Sequence, residues 1–277
     1  MAKAVVLGGG GVAGIAWETG VLLGLADAGL DLTAADLLVG TSAGSVVATQ
    51  VATGIPLSEL YERQVAPGSG GERTVEFDVE AMIARFVELL ADRPHPEELR
   101  RRIGEWALQA DTVPEAERLE IIGSRLPLQE WPERALRITA VDAATGAFVA
   151  FDRSSGVSLV DAVAASCAVP GVWPPVTIGD RRYIDGGVRS TINADLASGF
   201  EAVVVLTPFT TGLAGDVGHE CDALRDGGAS VAVVVADERS AAAFGANPLD
   251  PTTRAPSAAA GRDQARDAAD AVAEAWG

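Results

Sequence analysis

Several residue types that carry out common chemistry are nearly missing from this chain of 277 residues. Lys3 is the only lysine, which argues against Schiff-base chemistry and against a lysine base. The chain has two cysteines, Cys167 and Cys221, and two histidines, His95 and His219. Two cysteines cannot build a disulfide framework, and these four residues do not have the spacing of metal ligands. We therefore expect neither a disulfide scaffold nor a metal site.

Positive charge is also scarce, because 21 Lys and Arg stand against 39 Asp and Glu, a formal charge of −18. Nucleic-acid binding needs clustered basic residues against the phosphates, so no nucleic-acid partner is expected. The same charge weakens attraction to anionic membranes, and residues 72–133 hold eight arginines against fifteen acidic residues. We expect at most transient contact with a membrane surface.

Long hydrophobic runs are absent as well. Apolar residues make up 48% of the chain, which is too many for a disordered protein. No run approaches the roughly 18 residues of a membrane-spanning helix. Residues 1–14 have one lysine and a short apolar run that ends in glycines, which is not the pattern of a secretory signal. These features predict a soluble cytoplasmic protein.

The first 55 residues alternate between short buried strands and helices. Residues 4–7 and 37–39 are continuous apolar runs, typical of strands buried on both faces of a sheet. Each run is followed by glycines and then by a helical pattern, at about 14–28 and 43–53. This order predicts an α/β sheet with helices on its faces, and residues 257–276 predict a frayed surface helix. Further strand-like runs lie at 136–141, 148–151, 202–206 and 231–235.

Residues 67–131 differ from the rest and predict a helical insertion. They begin with a breaker cluster at 67–72, are strongly charged, and have prolines at the expected helix boundaries. One apolar stripe runs along a helical face: Val79, Met82, Ile83, Phe86, Val87 and Leu90. Such a stripe favours a helix packed on the core. The alternative is a mobile cap over an apolar site.

The motif at residues 40–44, Gly-Thr-Ser-Ala-Gly, has the pattern G-x-S-x-G between a buried strand and a helix. In this context the pattern is typical of a nucleophile elbow, a tight turn that holds the serine in a strained backbone conformation. Ser42 would project at the carboxyl end of the strand, near the positive end of the following helix. The alternative is a serine that only caps the helix.

A second glycine-rich turn, at residues 8–11, lies between the first strand and the first helix. Its backbone N–H groups would suit a phosphate or an oxyanion. Residues 9–14 also match G-x-G-x-x-G, but a dinucleotide site needs an acidic residue at the end of the second strand. That strand runs into the Ser42 turn instead, and Asp31 and Asp36 precede it. A dinucleotide site is therefore not supported.

A nucleophilic serine needs a base, for which there are three candidates. His95 lies between two prolines and resembles an exposed loop residue. His219 would complete the chain order of an α/β-hydrolase triad, but in that fold several strands precede the elbow and here one does. Asp185 follows a short strand and precedes two glycines, so it lies on an open turn. We favour Asp185, which must be desolvated or held against the hydroxyl to act as a base, although an Asp-Gly turn can be purely structural.

Together these residues resemble the patatin-like phospholipase family, whose members are serine acyl hydrolases with a Ser–Asp dyad and no histidine. The blocks that carry the resemblance follow the family's order: residues 9–14, 40–44, 165–171 and 185–187. The resemblance implies a three-layer α/β/α sandwich with a central, mostly parallel sheet. It also implies a single domain over residues 1–277, with the helical insertion at about 67–131.

The resemblance implies that Ser42 attacks an acyl ester while Asp185 accepts its proton. The oxyanion would be bound by backbone N–H groups, those of Gly9, Gly10, Gly11 and Ala43. The substrate would be a lipid or a small acyl ester, and no metal or organic cofactor is implied. Two other functions remain open: acyl transfer by the same serine, and a non-enzymatic nucleotide-binding or regulatory module.

One position departs from the family. Its glycine loop usually has an arginine before the last glycine, and here that position is Ala13. The backbone donors of the loop remain, so ester hydrolysis is still expected. The charge of −18 favours dispersed acyl esters or neutral surfaces over anionic bilayers.

Overall fold

The computed structural model describes residues 1–67, 79–212 and 215–277. The helices in these ranges are α1 (Gly11–Asp27), α2 (Ala43–Ala52), α3 (Leu57–Val65), α4 (Val79–Leu90), α5 (Pro96–Gln109), α6 (Glu115–Arg125), α7 (Leu159–Ser166), α8 (Gly218–Asp226), α9 (Glu238–Phe244) and α10 (Arg254–Trp276). The strands are β1 (Lys3–Leu7), β2 (Leu37–Gly40), β3 (Ala135–Asp142), β4 (Phe148–Phe151), β5 (Val176–Ile178), β6 (Arg181–Asp185), β7 (Ala202–Thr207), β8 (Thr211–Gly212), β9 (Gly215–Asp216) and β10 (Ser230–Val235).

One mixed sheet runs through the centre, in the order β10-β7-β1-β2-β3-β6-β5, with β4 beside β3. The five strands from β10 to β3 are parallel. The remaining pairings, of β3 with β4 and β6 and of β6 with β5, are antiparallel. The prediction of a mostly parallel central sheet is therefore confirmed.

Helices cover both faces of the sheet because its strands alternate their apolar side chains between the two faces. In β1, Val5 and Leu7 belong to the core beneath α1, α2, α7 and α10. Ala4 and Val6 pack on the opposite face against α8 and a 3-10 helix, Ala194–Ala197. Helix α5 covers the β3 and β6 end of the sheet. These layers confirm the predicted α/β/α sandwich.

The last helix differs from its prediction. Helix α10 is not a frayed surface helix, because it packs along α1 and buries Ala265, Val272 and Trp276. The two backbones approach so closely that a Cβ on Gly20 of α1 would lie 2.1 Å from the carbonyl oxygen of Ala258. The small residues of this alanine-rich sequence thus permit close helix packing, which their low hydrophobicity did not reveal.

Helices α4, α5 and α6, here called the helical insertion, lie within the predicted segment, and part of the breaker cluster (68–72) lies outside the described residues. Pro96 begins α5 and Pro114 precedes α6, as the proline positions predicted. The apolar stripe of α4 is only partly buried. Phe86 packs edge-on against Trp106, whereas Val87 is 62% exposed. The side chains at positions 79 and 83 lie outside the description, so the stripe is followed no further.

Candidate active site

Ser42 lies in the sharp turn between β2 and α2. Its backbone angles are φ 51° and ψ −118°, a strained conformation for a residue with a side chain. The turn is tight because α2 begins directly against β1. A Cβ on Gly44 would lie 2.1 Å from the carbonyl oxygen of Leu7, so only glycine fits there. This is the geometry that the G-x-S-x-G pattern predicts, and it leaves Ser42 9% exposed.

The backbone of Ser42 is held by side chains from the end of α7 and from α2. Its N–H donates to the hydroxyl of Ser166 at 3.0 Å, and its carbonyl accepts from Ser45 at 2.6 Å and from the thiol of Cys167 at 3.2 Å. These bonds satisfy the polar groups of a strained residue in a buried position. The resemblance flagged residues 165–171 as a block, but it gave Ser166 and Cys167 no role.

Asp185 ends β6 and is 4% exposed. Its Oδ1 accepts the N–H of Gly187 at 2.7 Å, and Oδ2 has no hydrogen-bond partner among the described residues. Burial raises the pKa of Asp185 to about 7, against the opposing effects of the Gly187 N–H, the Ser42 hydroxyl and the charge of Arg118. The Ser42 hydroxyl is thus near enough to influence the carboxylate without a full hydrogen bond to Oδ2.

Ser42 and Asp185 come together because two strands end against the same stretch of β3. Ile138 of β3 is paired with Gly40 of β2, and Ala140 is paired with Asp185 of β6. Strand β4 occupies the other edge of β3 at both positions, so β2 and β6 share one edge. Since β2 is parallel and β6 antiparallel to β3, their carboxyl ends approach each other from opposite directions. The antiparallel β6 thereby places Asp185 beside the elbow.

A buried amide connects the two turns beneath this pair. Asn193 is fully buried in the left-handed conformation, at φ 51°. Its Nδ2 donates to the hydroxyl of Thr41 at 3.0 Å and to the carbonyl of Ser190 at 2.8 Å, with a longer contact of 3.4 Å to the carbonyl of Gly186. The hydroxyl of Thr139, on β3, bonds that of Thr41 at 2.9 Å. Asn193 thus joins the residue before Ser42 to the residue after Asp185, a role that no local motif indicated.

The glycine loop passes directly beside Ser42, but one of its predicted donors is already used. The N–H of Gly9, which the sequence analysis named as an oxyanion donor, donates to the carbonyl of Thr191 at 2.8 Å. The N–H groups of Gly10, Gly11 and Ala43 have no acceptor within the described residues. Gly11 and Ala43 begin α1 and α2, where the helix termini favour negative charge.

A cavity of about 30 Å³ opens at Ser42. Gly11, Ala43 and Cys167 line it together with Ser42, and Trp173 and Leu249 form apolar walls. Its charged walls are Arg118 and Arg125, which α6 contributes. No residue of α4 is among the described residues that line it. This volume corresponds to a few water molecules.

Neither histidine reaches this cavity. His95 precedes α5 and His219 lies in the first turn of α8, and both are exposed. Within the described ranges, no group of three His, Cys, Asp or Glu side chains could hold a metal ion. None of the helices in those ranges is long and apolar enough to cross a membrane.

The arrangement of strained serine, buried aspartate and glycine loop agrees with a family comparison. A family model described as patatin-like phospholipase matches residues 5–198. The chain belongs to the patatin-like phospholipase family. The match contains the glycine loop, the elbow and Asp185, and it also spans the helical insertion. Membership of the patatin-like phospholipases supports lipid acyl hydrolase activity.

Two solved structures resemble this patatin-like chain over nearly its whole length. VipD from Legionella pneumophila has a TM-score of 0.48 and 13% identity, with 97% of this chain and 66% of that chain covered. The type III effector protein ExoU has a TM-score of 0.44 and 16% identity, with 99% of this chain and 53% of that chain covered. The chain therefore spans about two thirds and about half of those proteins. No curated protein sequence matches it.

Proposed function

We propose that this protein is a serine acyl hydrolase that cleaves lipid or small acyl esters through an acyl-enzyme on Ser42, with Asp185 as the base. The observation that carries the proposal is the juxtaposition of a strained, cavity-lining serine with a buried carboxylate whose pKa is raised to about 7. A base with a pKa near the working pH accepts a proton from a hydroxyl far better than an ordinary aspartate. Both histidines are exposed, so we assign the role of base to Asp185.

In the first half-reaction the Oγ of Ser42 attacks the ester carbonyl carbon, and its proton passes to Oδ2 of Asp185. The carbonyl oxygen becomes an oxyanion, which the N–H groups of Gly10, Gly11 and Ala43 bind at the starts of α1 and α2. Collapse of this intermediate breaks the bond to the alcohol, and Asp185 returns the proton to the leaving oxygen. The acyl group is then esterified to Ser42.

In the second half-reaction a water molecule attacks the acyl-enzyme, and Asp185 takes a proton from it. The same donors bind the second oxyanion. Release of the carboxylic acid returns the proton to Oγ of Ser42, so the aspartate ends each cycle ionised. No metal or cofactor takes part in these steps.

The net charge of the protein and the volume of the cavity both restrict the substrates that we expect. The chain carries −18, and the helical insertion is acidic too, so anionic bilayers are poor partners for it. The cavity of about 30 Å³ admits a short acyl group more easily than a long one. We therefore expect dispersed esters and neutral surfaces to be better substrates than anionic vesicles.

Hydrolysis of p-nitrophenyl butyrate tests the proposal. Ser42→Ala should lose about 10³-fold or more in kcat/KM, because it removes the nucleophile. Cys167→Ser is the matched variant, since Cys167 is the other nucleophilic side chain in the cavity and a serine keeps a donor to the Ser42 carbonyl. It should retain most of the activity. Turnover that survives Ser42→Ala but disappears in Cys167→Ser would make the thiol the nucleophile.

A further inference from the structure

The helical insertion places two arginines, Arg118 and Arg125, in the wall of the Ser42 cavity, and Arg118 is the more closely held of the two by an aromatic ring. Arg118 of α6 is 3% exposed, and its guanidinium carbon lies 3.7 Å from the ring centroid of Trp173. A guanidinium stacked on a flat aromatic ring has little freedom to turn away. Because an arginine stays protonated in proteins, this position carries a fixed positive charge beside the nucleophile.

The surroundings of this charge suit a reaction that creates an anion. Arg118 lines the same cavity as Ser42, Gly11 and Ala43, where the proposed oxyanion would form. None of the described residues that line this cavity is an aspartate or glutamate. In a small cavity with apolar walls, a fixed cation acts over a longer range than it would in water.

We infer that Arg118 is an electrostatic catalytic residue, contributed by the helical insertion, whose guanidinium stabilises the negative charge that develops on the substrate carbonyl oxygen. This inference rests on the proposed function of Ser42. The glycine loop brings no charged side chain to the cavity, and its residue 13 is an alanine, whose N–H donates to the carbonyl of Pro248. The insertion would therefore have a chemical role in addition to covering the site.

The charge of Arg118 also reaches the base. Three groups act on the pKa of Asp185: the Gly187 N–H, the Ser42 hydroxyl and the guanidinium of Arg118. The charge of Asp185 also acts on the thiol of Cys167, which follows α7. Arg118 lowers the pKa of Asp185. Loss of this cation would therefore raise that pKa further, so that the base would become ionised only at higher pH.

Arg118→Met tests the inference, because methionine keeps an apolar contact with Trp173 and removes the charge. The kcat on p-nitrophenyl butyrate should fall about 10- to 100-fold with a small change in KM, since the loss acts on the transition state. The acid limb of the pH profile should move to higher pH. Arg118→Lys should recover part of kcat because it restores the charge. The matched control is Arg101→Met, at an exposed α5 arginine paired with Glu98, which should behave as wild type.

A second measurement separates this inference from the proposed function. The carboxyl carbon of Asp185 can be titrated by ¹³C NMR in the wild type, Arg118→Met and Arg118→Lys, with no substrate present. The inference expects a higher midpoint in Arg118→Met and recovery in Arg118→Lys. An unchanged midpoint, or a wild-type kcat in folded Arg118→Met, overturns it. A wild type that hydrolyses no ester and whose Ser42 resists a fluorophosphonate overturns the proposed function instead, whatever the titration shows.

Discussion

The strand ends that hold Ser42 and Asp185 and the helical insertion above them are built in different ways. At the strand ends, main-chain pairing with β3 sets the position of both side chains. The insertion is covered with charged pairs, such as those of Glu98 with Arg101 and Arg102. These pairs lie at the surface, and surface ion pairs contribute little stability. The insertion is instead anchored by buried side chains such as Ile103 and Ile122.

We infer from this difference that the strand ends and the helical insertion have different roles in the proposed reaction. The strand ends hold Ser42 and Asp185 through backbone contacts that side-chain changes cannot easily alter. The insertion adds side chains, Arg118 and Arg125, that adjust the charge and shape of the cavity. Changes at the strand ends should therefore abolish turnover on every substrate, whereas changes in the insertion should modify its rate or leave it alone.

The largest effect is expected at the base. Asp185→Asn should reduce kcat on p-nitrophenyl butyrate by about 10²- to 10⁴-fold, the usual contribution of a general base. His219→Ala is the control, because His219 is exposed on α8 and should leave kcat unchanged. Equal losses of kcat in the two variants would contradict a Ser–Asp pair and would indicate that His219 takes part in the reaction.

A smaller loss is expected at the buried amide beneath the strand ends. Asn193→Ala removes the bonds to Thr41 and Ser190 and should lower kcat about 10- to 100-fold through misplacement of the reacting groups, with KM little changed. Ser240→Ala is the control, because it also removes a buried hydrogen bond, to Gln264, but lies on α9. If both variants lose thermal stability and neither loses kcat per fluorophosphonate-titrated site, Asn193 has a structural role alone.

Two buried aspartates should give opposite pH effects on stability. Burial raises the pKa of Asp185 from 3.8 to about 7. Between these pH values the folded protein keeps a proton that the unfolded chain has lost, so the stability of the wild type falls as the pH rises. Asp185→Asn should therefore gain stability relative to wild type as the pH rises from 4 to 7, reaching on the order of 4 kcal/mol. Burial also favours protonation of Asp142, but hydrogen bonds from Thr145, Arg181 and Ala144 outweigh it and lower its pKa.

Asp142→Asn should accordingly lose stability at neutral pH, with the difference shrinking as pH falls below 4. Urea unfolding of both variants and the wild type at pH 4, 6 and 8 checks the two directions. A parallel pH dependence for the two variants would contradict the raised pKa of Asp185.

The smallest effect is expected on the outer face of the insertion. Val87 and Leu90 of α4 are exposed, and neither is among the described residues that line the Ser42 cavity. Replacing both with serine should change kcat/KM on dispersed p-nitrophenyl butyrate less than about twofold, within the usual range for surface substitutions. A larger loss would mean that the α4 stripe contacts the acyl chain, as the alternative of a cap over an apolar site implies.

Local sterics explain which features could be predicted from the sequence. The elbow was predictable because the G-x-S-x-G pattern between a buried strand and a helix is typical of this tight turn, in which position 44 has no room for a Cβ. The first two strands and helices were predictable from apolar runs and glycines. Asp185 was selected from its two following glycines and from the lack of a suitable histidine.

Long-range contacts were not predictable in this way. Nothing in the spacing indicated that β6 is antiparallel and ends on the same edge of β3 as β2, although this places Asp185 beside Ser42. Three further features depend on residues far apart in the chain: the hydrogen bond from the Gly9 N–H to Thr191, the packing of α10 on α1 and the position of Arg118. Each follows from tertiary packing, which a local pattern does not encode.

The central claim is that Ser42 is a nucleophile activated by Asp185, and fluorophosphonate labelling across pH tests it most directly. The protein would be labelled between pH 5 and 9, digested, and the adduct located by mass spectrometry. We predict one adduct, on Ser42, whose labelling rate rises with a midpoint near the Asp185 pKa of about 7 and loses that rise in Asp185→Asn. An adduct on another residue, or an identical pH dependence in Asp185→Asn, would contradict the account.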